Sequence, residues 1–116
     1  MLTTISDLMK GKVSLSSPSR STKWPAARAA HLKTHNECAV CAGTEKLEVH
    51  HKKPFHMHPE LELEPDNLIT LCESGKHGVN CHLLVGHLGN FKSVNPDVEN
   101  DAATWKTKIL ARINNM

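Results

Sequence analysis

The sequence predicts a small α+β fold in which two short strands form the centre, helices flank them at both ends, and a structural metal stabilises the core. The chain has 116 residues with two Trp, two Phe and no Tyr, so its apolar core must be small. Small domains often depend on a bound metal, and four cysteines beginning with a Cys-x-x-Cys pair could supply one.

Two helices are predicted outside the strands. The first begins with Pro25 at its first position, a favoured place for proline, and good helix formers continue to Thr34. The second covers residues 96–113, with Asn95 as its cap and acidic residues in its first turn. Its apolar stripe predicts a packing helix anchored by Trp105, and the stripe comprises Val98, Ala102, Trp105, Ile109 and Ile113.

Two segments between these helices have strand character. Residues 46–51 alternate apolar and polar side chains, and residues 68–71 form a short apolar run. Residues 1–24 are rich in Lys and Ser and are predicted to be a flexible basic arm. Residues 25–116 then form a single domain, with its core over 37–90.

Charge is distributed unevenly along the chain. The net charge is +2, but residues 1–36 carry six basic residues against Asp7 alone, while the other eighty carry eight basic and eleven acidic residues. A basic arm on a mildly acidic body suits a phosphate-bearing partner, and a solvated, disordered leader is the alternative. The predicted phosphate-contacting residues are Lys23, Arg28, Lys33, Lys52 and Lys53.

No stretch of the sequence is apolar enough to span a membrane, and the first residues do not have the length or apolarity of a signal peptide. We therefore expect a cytoplasmic protein. In a reducing compartment, a Cys-x-x-Cys pair indicates metal or redox chemistry rather than a structural disulfide.

Four cysteines form the predicted zinc ligand set: Cys38, Cys41, Cys72 and Cys81. Thiolates favour zinc over magnesium or calcium, and four of them make a closed tetrahedral site. Eight residues separate the last two cysteines, which leaves His77 as an alternative ligand. A redox-active pair is a competing interpretation, but no βαβ pattern surrounds it.

The adjacent pair His50-His51 ends the first predicted strand. Successive strand residues point to opposite faces, so one imidazole can bind a metal while its neighbour takes a proton from water. His31 and His35 are interpreted as a helix face. His56 and His58 are interpreted as exposed loop residues.

The order of these motifs resembles the HNH nuclease family, whose fold is the ββα-metal unit. The resemblance covers about residues 37–90 and implies that His51 is the general base and that His50 and His82 bind the catalytic metal. Asn67 would either ligate this metal or brace the loop that orients the base. In family members a further histidine often lies one turn along the helix; here the nearest is His87, five residues on, which requires a widened helical turn.

The resemblance implies a metal-dependent endonuclease that hydrolyses double-stranded DNA, leaves 5′-phosphate and 3′-hydroxyl ends and contacts mainly the backbone. We expect a structural Zn²⁺ and a catalytic divalent metal. Nitrogen ligands make Mn²⁺ our first expectation, with Mg²⁺, Ni²⁺, Co²⁺ or Zn²⁺ as alternatives. A single site in a monomer or weak dimer predicts nicking. The alternative functions are a non-catalytic zinc-knuckle DNA-binding or adaptor module and, ranked last, a thiol oxidoreductase.

Overall fold

The computed structural model describes residues 20–75 and 78–114, except for the side chain of Asn114. The helices are α1 (Trp24–Thr34) and α2 (Val98–Asn114), the strands are β1 (Leu47–His51) and β2 (Leu68–Cys72), and a π-helical turn spans His82–Gly86. Two short 3₁₀ turns, Pro59–Leu61 and Pro65–Asn67, lie between the strands. This arrangement confirms the α+β class and the predicted ββα core with flanking helices.

The two strands form an antiparallel hairpin that fixes where the histidine pair lies. Leu47 is opposite Cys72 at one end, and His51 is opposite Leu68 at the other. The connection that follows α1 is hydrogen-bonded to β2 through Thr70, whose side-chain hydroxyl donates to the His35 carbonyl at 2.8 Å. The hairpin therefore carries Cys72, one of the four predicted zinc ligands, at one end and the histidine pair at the other.

The apolar core is small, and cysteines make up much of it. Its most deeply buried members are Cys38, Leu71, Cys72, Cys81, Val98 and Ala102, each at most 1% exposed. Burying this few aliphatic side chains provides limited hydrophobic stabilisation, because that term scales with the apolar area removed from water. A metal bound by the buried thiols is therefore a major potential source of stability.

Helix α2 packs through Val98, Ala102 and Ile109 and not through Trp105. Val98 and Ala102 are each 1% exposed, whereas Trp105 is 50% exposed, so the prediction that it anchors the helix is wrong. Ile109, in the second half of the helix, is partly buried against the same core, so the packed face continues past Trp105 without covering it. The helix is instead held at its start by Asn95, whose Oδ1 accepts from the Asp97 amide and whose Nδ2 donates to the Val85 carbonyl.

Across residues 20–75 and 78–114, no helix combines the length and apolarity needed to cross a membrane.

Candidate active site and metal centres

The four cysteines converge on one point at the base of the hairpin. Their sulfur atoms all lie within 4.8 Å of one another, and all four side chains are buried. The Cys41 and Cys72 sulfurs are 3.7 Å apart. A tetrahedron with zinc–sulfur bonds of about 2.3 Å has edges of about 3.8 Å, so the separation of Cys41 and Cys72 matches one edge of a zinc site.

The ionisation of these thiols also fits a cation. Burial raises the pKa of Cys41 to about 11, while the hydrogen bond with the Cys81 thiol lowers the pKa of Cys38 to about 4. The cluster by itself therefore favours a mixture of thiol and thiolate, and a bound cation is needed to hold all four as thiolates. Buried thiols of this kind are poor reagents for disulfide exchange, which disfavours the oxidoreductase interpretation.

A second cluster brings together three imidazoles: His50 from β1, and His82 and His87 from the π-helical turn and its end. The Nε2 atoms of His82 and His87 are 3.3 Å apart. Metal–nitrogen bonds of about 2.0–2.1 Å in a tetrahedral site place two nitrogens about 3.3–3.4 Å apart. His82 and His87 thus have the spacing of two ligands of one metal, and a ring nitrogen of His50 lies within 4.8 Å of both.

Neighbouring acceptors fix the tautomers of two of these rings. The Nδ1 of His82 lies 3.0 Å from the Glu73 carboxylate, and the Nδ1 of His87 lies 3.0 Å from the Ser93 carbonyl. A carboxylate or carbonyl oxygen accepts, so each Nδ1 carries the proton and each Nε2 presents a lone pair. Two lone pairs that face each other at 3.3 Å repel unless a proton or a metal cation lies between them, so this pair of nitrogens is suited to binding a cation.

The four-cysteine cluster and the histidine cluster are connected through residues that are adjacent in sequence. Glu73 directly follows Cys72, and His82 directly follows Cys81. The hydrogen bond between Glu73 and His82 therefore joins the backbone segments that carry two of the four thiols. A displacement of the backbone at Cys72 or Cys81 would therefore also move Glu73 or His82.

The π-helical turn explains how a histidine five positions on reaches the cluster. An ordinary α-helix aligns residues three or four apart, and the wider turn accommodates the additional residue. Gly86 lies inside this turn, where a Cβ would be 3.0 Å from Leu71 and 3.3 Å from the His50 ring. The absence of a side chain at Gly86 therefore allows the turn to approach His50 closely.

His50 is suited to metal binding because it remains neutral. Burial, followed by the nearby His82 and His87, lowers the pKa of His50 to about 3. The ring is 7% exposed and needs no deprotonation at neutral pH before it can bind a cation.

His51 has a different partner from its neighbour. Its Nε2 lies 3.0 Å from the Glu62 backbone carbonyl, which accepts, so Nε2 carries the proton and Nδ1 keeps a free lone pair. Burial lowers the pKa of this ring against the opposing effect of the Glu62 hydrogen bond. The Trp24 ring lies against it, with 4.6 Å between the ring centroids. His51 is therefore neutral, oriented and able to accept a proton at Nδ1.

Asn67 braces the loop that contains Glu62. Its Nδ2 donates to the carbonyls of Lys53 and Leu61, at 3.1 and 3.2 Å, and its Oδ1 accepts from the Lys53 amide at 2.8 Å. Through these three bonds, the side chain of Asn67 connects Lys53, where the loop begins, to Leu61, next to Glu62. Of the two roles left open for it, the contacts support bracing.

The two histidines of the pair open onto one cleft of about 430 Å³. His82 and His87 line the same cleft, together with three aromatic side chains and three basic ones: Trp24, Phe55, Phe91, Arg20, Arg28 and Lys92. A phosphate entering this cleft would meet the lone pair of His51 and the histidine triad together.

The basic residues predicted to contact DNA lie at different distances from this cleft. Arg28 lines it, although its guanidinium is 3.2 Å from the Glu48 carboxylate. Lys52 lies in a separate groove beside α2 and pairs with Glu99 at 2.8 Å. The other three side chains are solvent-exposed: Lys23, Lys33 and Lys53.

The remaining histidines take other environments. His31 and His35 stack face to face at the end of α1, with 4.3 Å between their ring centroids. His56 is exposed at the edge of the cleft, and His58 pairs with Glu60. His77, the alternative zinc ligand, lies outside the described residues.

Three positioning groups were missed by the sequence interpretation: the Glu62 carbonyl, the Glu73 carboxylate and the Ser93 carbonyl. Backbone carbonyls have no sequence signal, because every residue carries one. Glu73 did have a signal, because the sequence places this carboxylate directly after the predicted zinc ligand Cys72.

Comparison with known families shows that residues 38–87 match the model of the HNH endonuclease family. This interval begins at the first cysteine of the zinc cluster and ends at the last histidine of the triad. No curated protein and no solved structure matches the chain.

Proposed function

We propose that this chain, whose residues 38–87 match the HNH endonuclease family model, nicks double-stranded DNA by metal-dependent hydrolysis of a phosphodiester bond. The proposal rests on one observation: a cluster of three histidines and a fourth histidine with different contacts line the same cleft. His50, His82 and His87 converge at metal-binding distances, while the adjacent His51 is tied to a backbone carbonyl and keeps a free nitrogen.

His51 acts as the general base in this proposal. Its Nδ1 takes a proton from a water molecule, whose oxygen attacks the phosphorus as the bond to the 3′ oxygen breaks. The products are a 5′-phosphate and a 3′-hydroxyl, whose proton comes from solvent. The lowered pKa of His51 supports this role, because the ring is already neutral near pH 7.

The triad of His50, His82 and His87 would hold the catalytic divalent cation. Such a cation, when bound, offsets negative charge on the phosphate and on the leaving oxygen. Three imidazole ligands without a carboxylate favour Mn²⁺, Ni²⁺, Co²⁺ or Zn²⁺ over Mg²⁺, which prefers oxygen. We propose Mn²⁺ as the working metal and Zn²⁺ at the four cysteines.

Asn67 is proposed to act through the loop rather than on the substrate. By holding Lys53 and Leu61, it keeps the Glu62 carbonyl where it can orient His51. The site contains one base and one metal triad, so a single catalytic event cuts one strand. Cleavage of both strands would then require two events or two protomers.

The test is plasmid cleavage across a series of divalent metals, comparing wild type with His51→Ala. Wild type should convert supercoiled DNA to open circles before linear DNA forms, and His51→Ala should lose on the order of 10²-fold or more in rate. His58→Ala is the matched control, because His58 pairs with Glu60 and lies outside the cleft.

Metal counting separates this proposal from a non-catalytic zinc-knuckle binder. The nuclease should bind two metals per chain, one tightly at the cysteines and one more weakly at the histidines. A folded protein that binds one zinc, binds DNA, and is indifferent to His51→Ala would contradict the proposed function and support the binding module.

A further inference from the structure

Arg20 reaches the catalytic cleft from the start of the described chain. Its guanidinium carbon lies 4.4 Å from the centroid of Phe55 and 5.5 Å from that of Trp24. Trp24 in turn lies against His51. Two aromatic rings therefore hold a cation next to the residue with the free imidazole nitrogen.

A buried carboxylate fixes the backbone from which Arg20 projects. Glu62 is 5% exposed, and its two carboxylate oxygens accept from the Ser21 amide at 3.1 and 3.2 Å. The backbone carbonyl of the same Glu62 accepts from His51. One residue thus positions both Arg20 and the general base, which fixes their separation.

The guanidinium of Arg20 remains available for an anion. Its ion pair with Glu62 is 4.0 Å long, at the limit for such a contact, and its side chain is 49% exposed. Arg28, which lines the same cleft, instead has a 3.2 Å ion pair with Glu48 and points a nitrogen at the Leu47 carbonyl. Of these two arginines, Arg20 has the weaker protein contacts and the more exposed charge.

Stacking against aromatic rings leaves the hydrogen-bonding edge of an arginine free. The rings contact the face of the guanidinium, whereas its five N–H donors lie in the plane. That planar fork matches the oxygens of a phosphate, and the charge makes the bond stronger than a neutral one.

We propose that Arg20 binds a backbone phosphate of the nucleic acid at the catalytic cleft, held in position by Phe55, Trp24 and Glu62. This inference rests on the proposed function for the identity of the substrate. Arg20 then fixes the register of the DNA strand relative to His51, a role distinct from that of the exposed lysines.

The test measures binding of a labelled DNA duplex over a series of salt concentrations, with one equivalent of zinc per chain for the cysteines and no further divalent metal. Each phosphate contact to duplex DNA contributes about 0.9 to the slope of log K against log salt. Arg20→Met keeps the aliphatic packing on the rings but removes the charge, so its slope should be shallower by about 0.9. Arg20→Lys keeps the charge and should retain the wild-type slope.

Arg112→Met is the matched control, since Arg112 is exposed near the end of α2; its slope should equal that of wild type. If Arg20→Met is less stable than wild type by thermal melting, Arg20→Gln provides the same loss of charge in a polar side chain. Weaker binding with an unchanged slope would assign Arg20 a structural role and overturn the proposal, as would no change at all.

The two proposals fail in different ways. If Arg20→Met flattens the slope but wild type cuts no DNA with any metal, the phosphate contact stands and the nuclease function falls. If wild type nicks DNA but the slope does not depend on Arg20, the nuclease function stands and the phosphate contact falls.

Discussion

The Nε2 atoms of His82 and His87 lie 3.3 Å apart, although the residues are five positions apart in sequence. A π-helical turn makes this possible, and the turn fits against His50 because Gly86 has no side chain. The histidine triad therefore depends on the backbone path as much as on its three ligands.

Gly86→Ala should weaken binding of the catalytic metal. The added Cβ would lie 3.0 Å from Leu71 and 3.3 Å from the His50 ring, so one of them must move by a few tenths of an ångström. We expect metal affinity to fall on the order of tenfold, as for other changes that displace a ligand. Calorimetric titration with Mn²⁺ measures this. The control is Leu84→Ala, an exposed position in the same turn; equal affinities of Gly86→Ala and wild type would contradict the argument.

Glu73→Gln should also reduce metal affinity, through the tautomer of His82. The carboxylate accepts from Nδ1 at 3.0 Å and makes Nε2 a better donor to a cation. Loss of such an outer partner typically costs 10–100-fold in metal affinity or activity, so we expect a loss of about that size. Zinc content should stay at one per chain. Glu64→Gln, an exposed carboxylate, is the control, and an unchanged Mn²⁺ affinity in Glu73→Gln would refute the positioning role.

Asn67→Ala should lower kcat while leaving two metals bound. Its three hydrogen bonds hold the loop whose Glu62 carbonyl orients His51. Freed from them, the imidazole is less often in the productive orientation, and a misplaced catalytic group can cost on the order of 10²-fold in rate. Steady-state cleavage together with metal counting checks this. A loss of the second metal in Asn67→Ala would instead assign Asn67 to the metal site.

Cys38→Ser should abolish zinc binding and unfold the domain. Cys38 is fully buried within the cluster, and structural zinc sites contribute an apparent binding free energy of about 10–16 kcal/mol. Native mass spectrometry and circular dichroism measure the two losses together. A stable, zinc-free Cys38→Ser protein would rule out the structural role.

His31→Phe should stabilise the domain and make its stability less sensitive to acid. The Nε2 of His31 is buried without a hydrogen-bond partner among the described residues, and removing such an atom can restore about 1 kcal/mol. Burial lowers the pKa of His31 below its ordinary value of 6.5, so the unfolded chain binds a proton that the folded chain excludes. Its contribution to stability is therefore complete above about pH 6.5 and is lost as the pH falls below that value.

Urea unfolding at neutral and mildly acidic pH, with zinc present, measures both effects. The difference in unfolding free energy between the two pH values should be smaller in His31→Phe than in wild type. His58→Phe makes the same exchange in a loop and should leave that difference unchanged. An equal acid sensitivity in His31→Phe and wild type would show that His31 is protonated in the folded state.

The sequence predicted the fold class because its signals are local. The alternation over residues 46–51 predicts a strand from neighbouring residues alone, and Pro25 in the same way marks the start of a helix. Both the strand and the helix are present. The cysteines could be grouped by ligand chemistry, and they do form one cluster. Trp105 was misassigned because periodicity identifies an apolar face but does not show which of its members are covered by the core: Ile109 packs against the core, whereas Trp105 is half exposed.

The contacts that orient the candidate site were harder to predict, because they join residues distant in sequence. Arg20 meets Phe55, and His51 meets the carbonyl of Glu62, only through the path of the loop between the strands. His87 lies five positions after His82, and whether the two rings meet depends on the type of helical turn between them. The sequence indicated only that a widened turn is required.

The adjacency of Cys72 to Glu73, and of Cys81 to His82, has a consequence for how such a protein matures. A newly synthesised chain without zinc has no framework to hold the carboxylate against its imidazole, so the catalytic cation has no preformed place to bind. The two ions should then bind in order: zinc binds at the cysteines first, and the cation binds at the histidines only afterwards. Such an order would keep immature molecules harmless to the DNA of the cell that makes them.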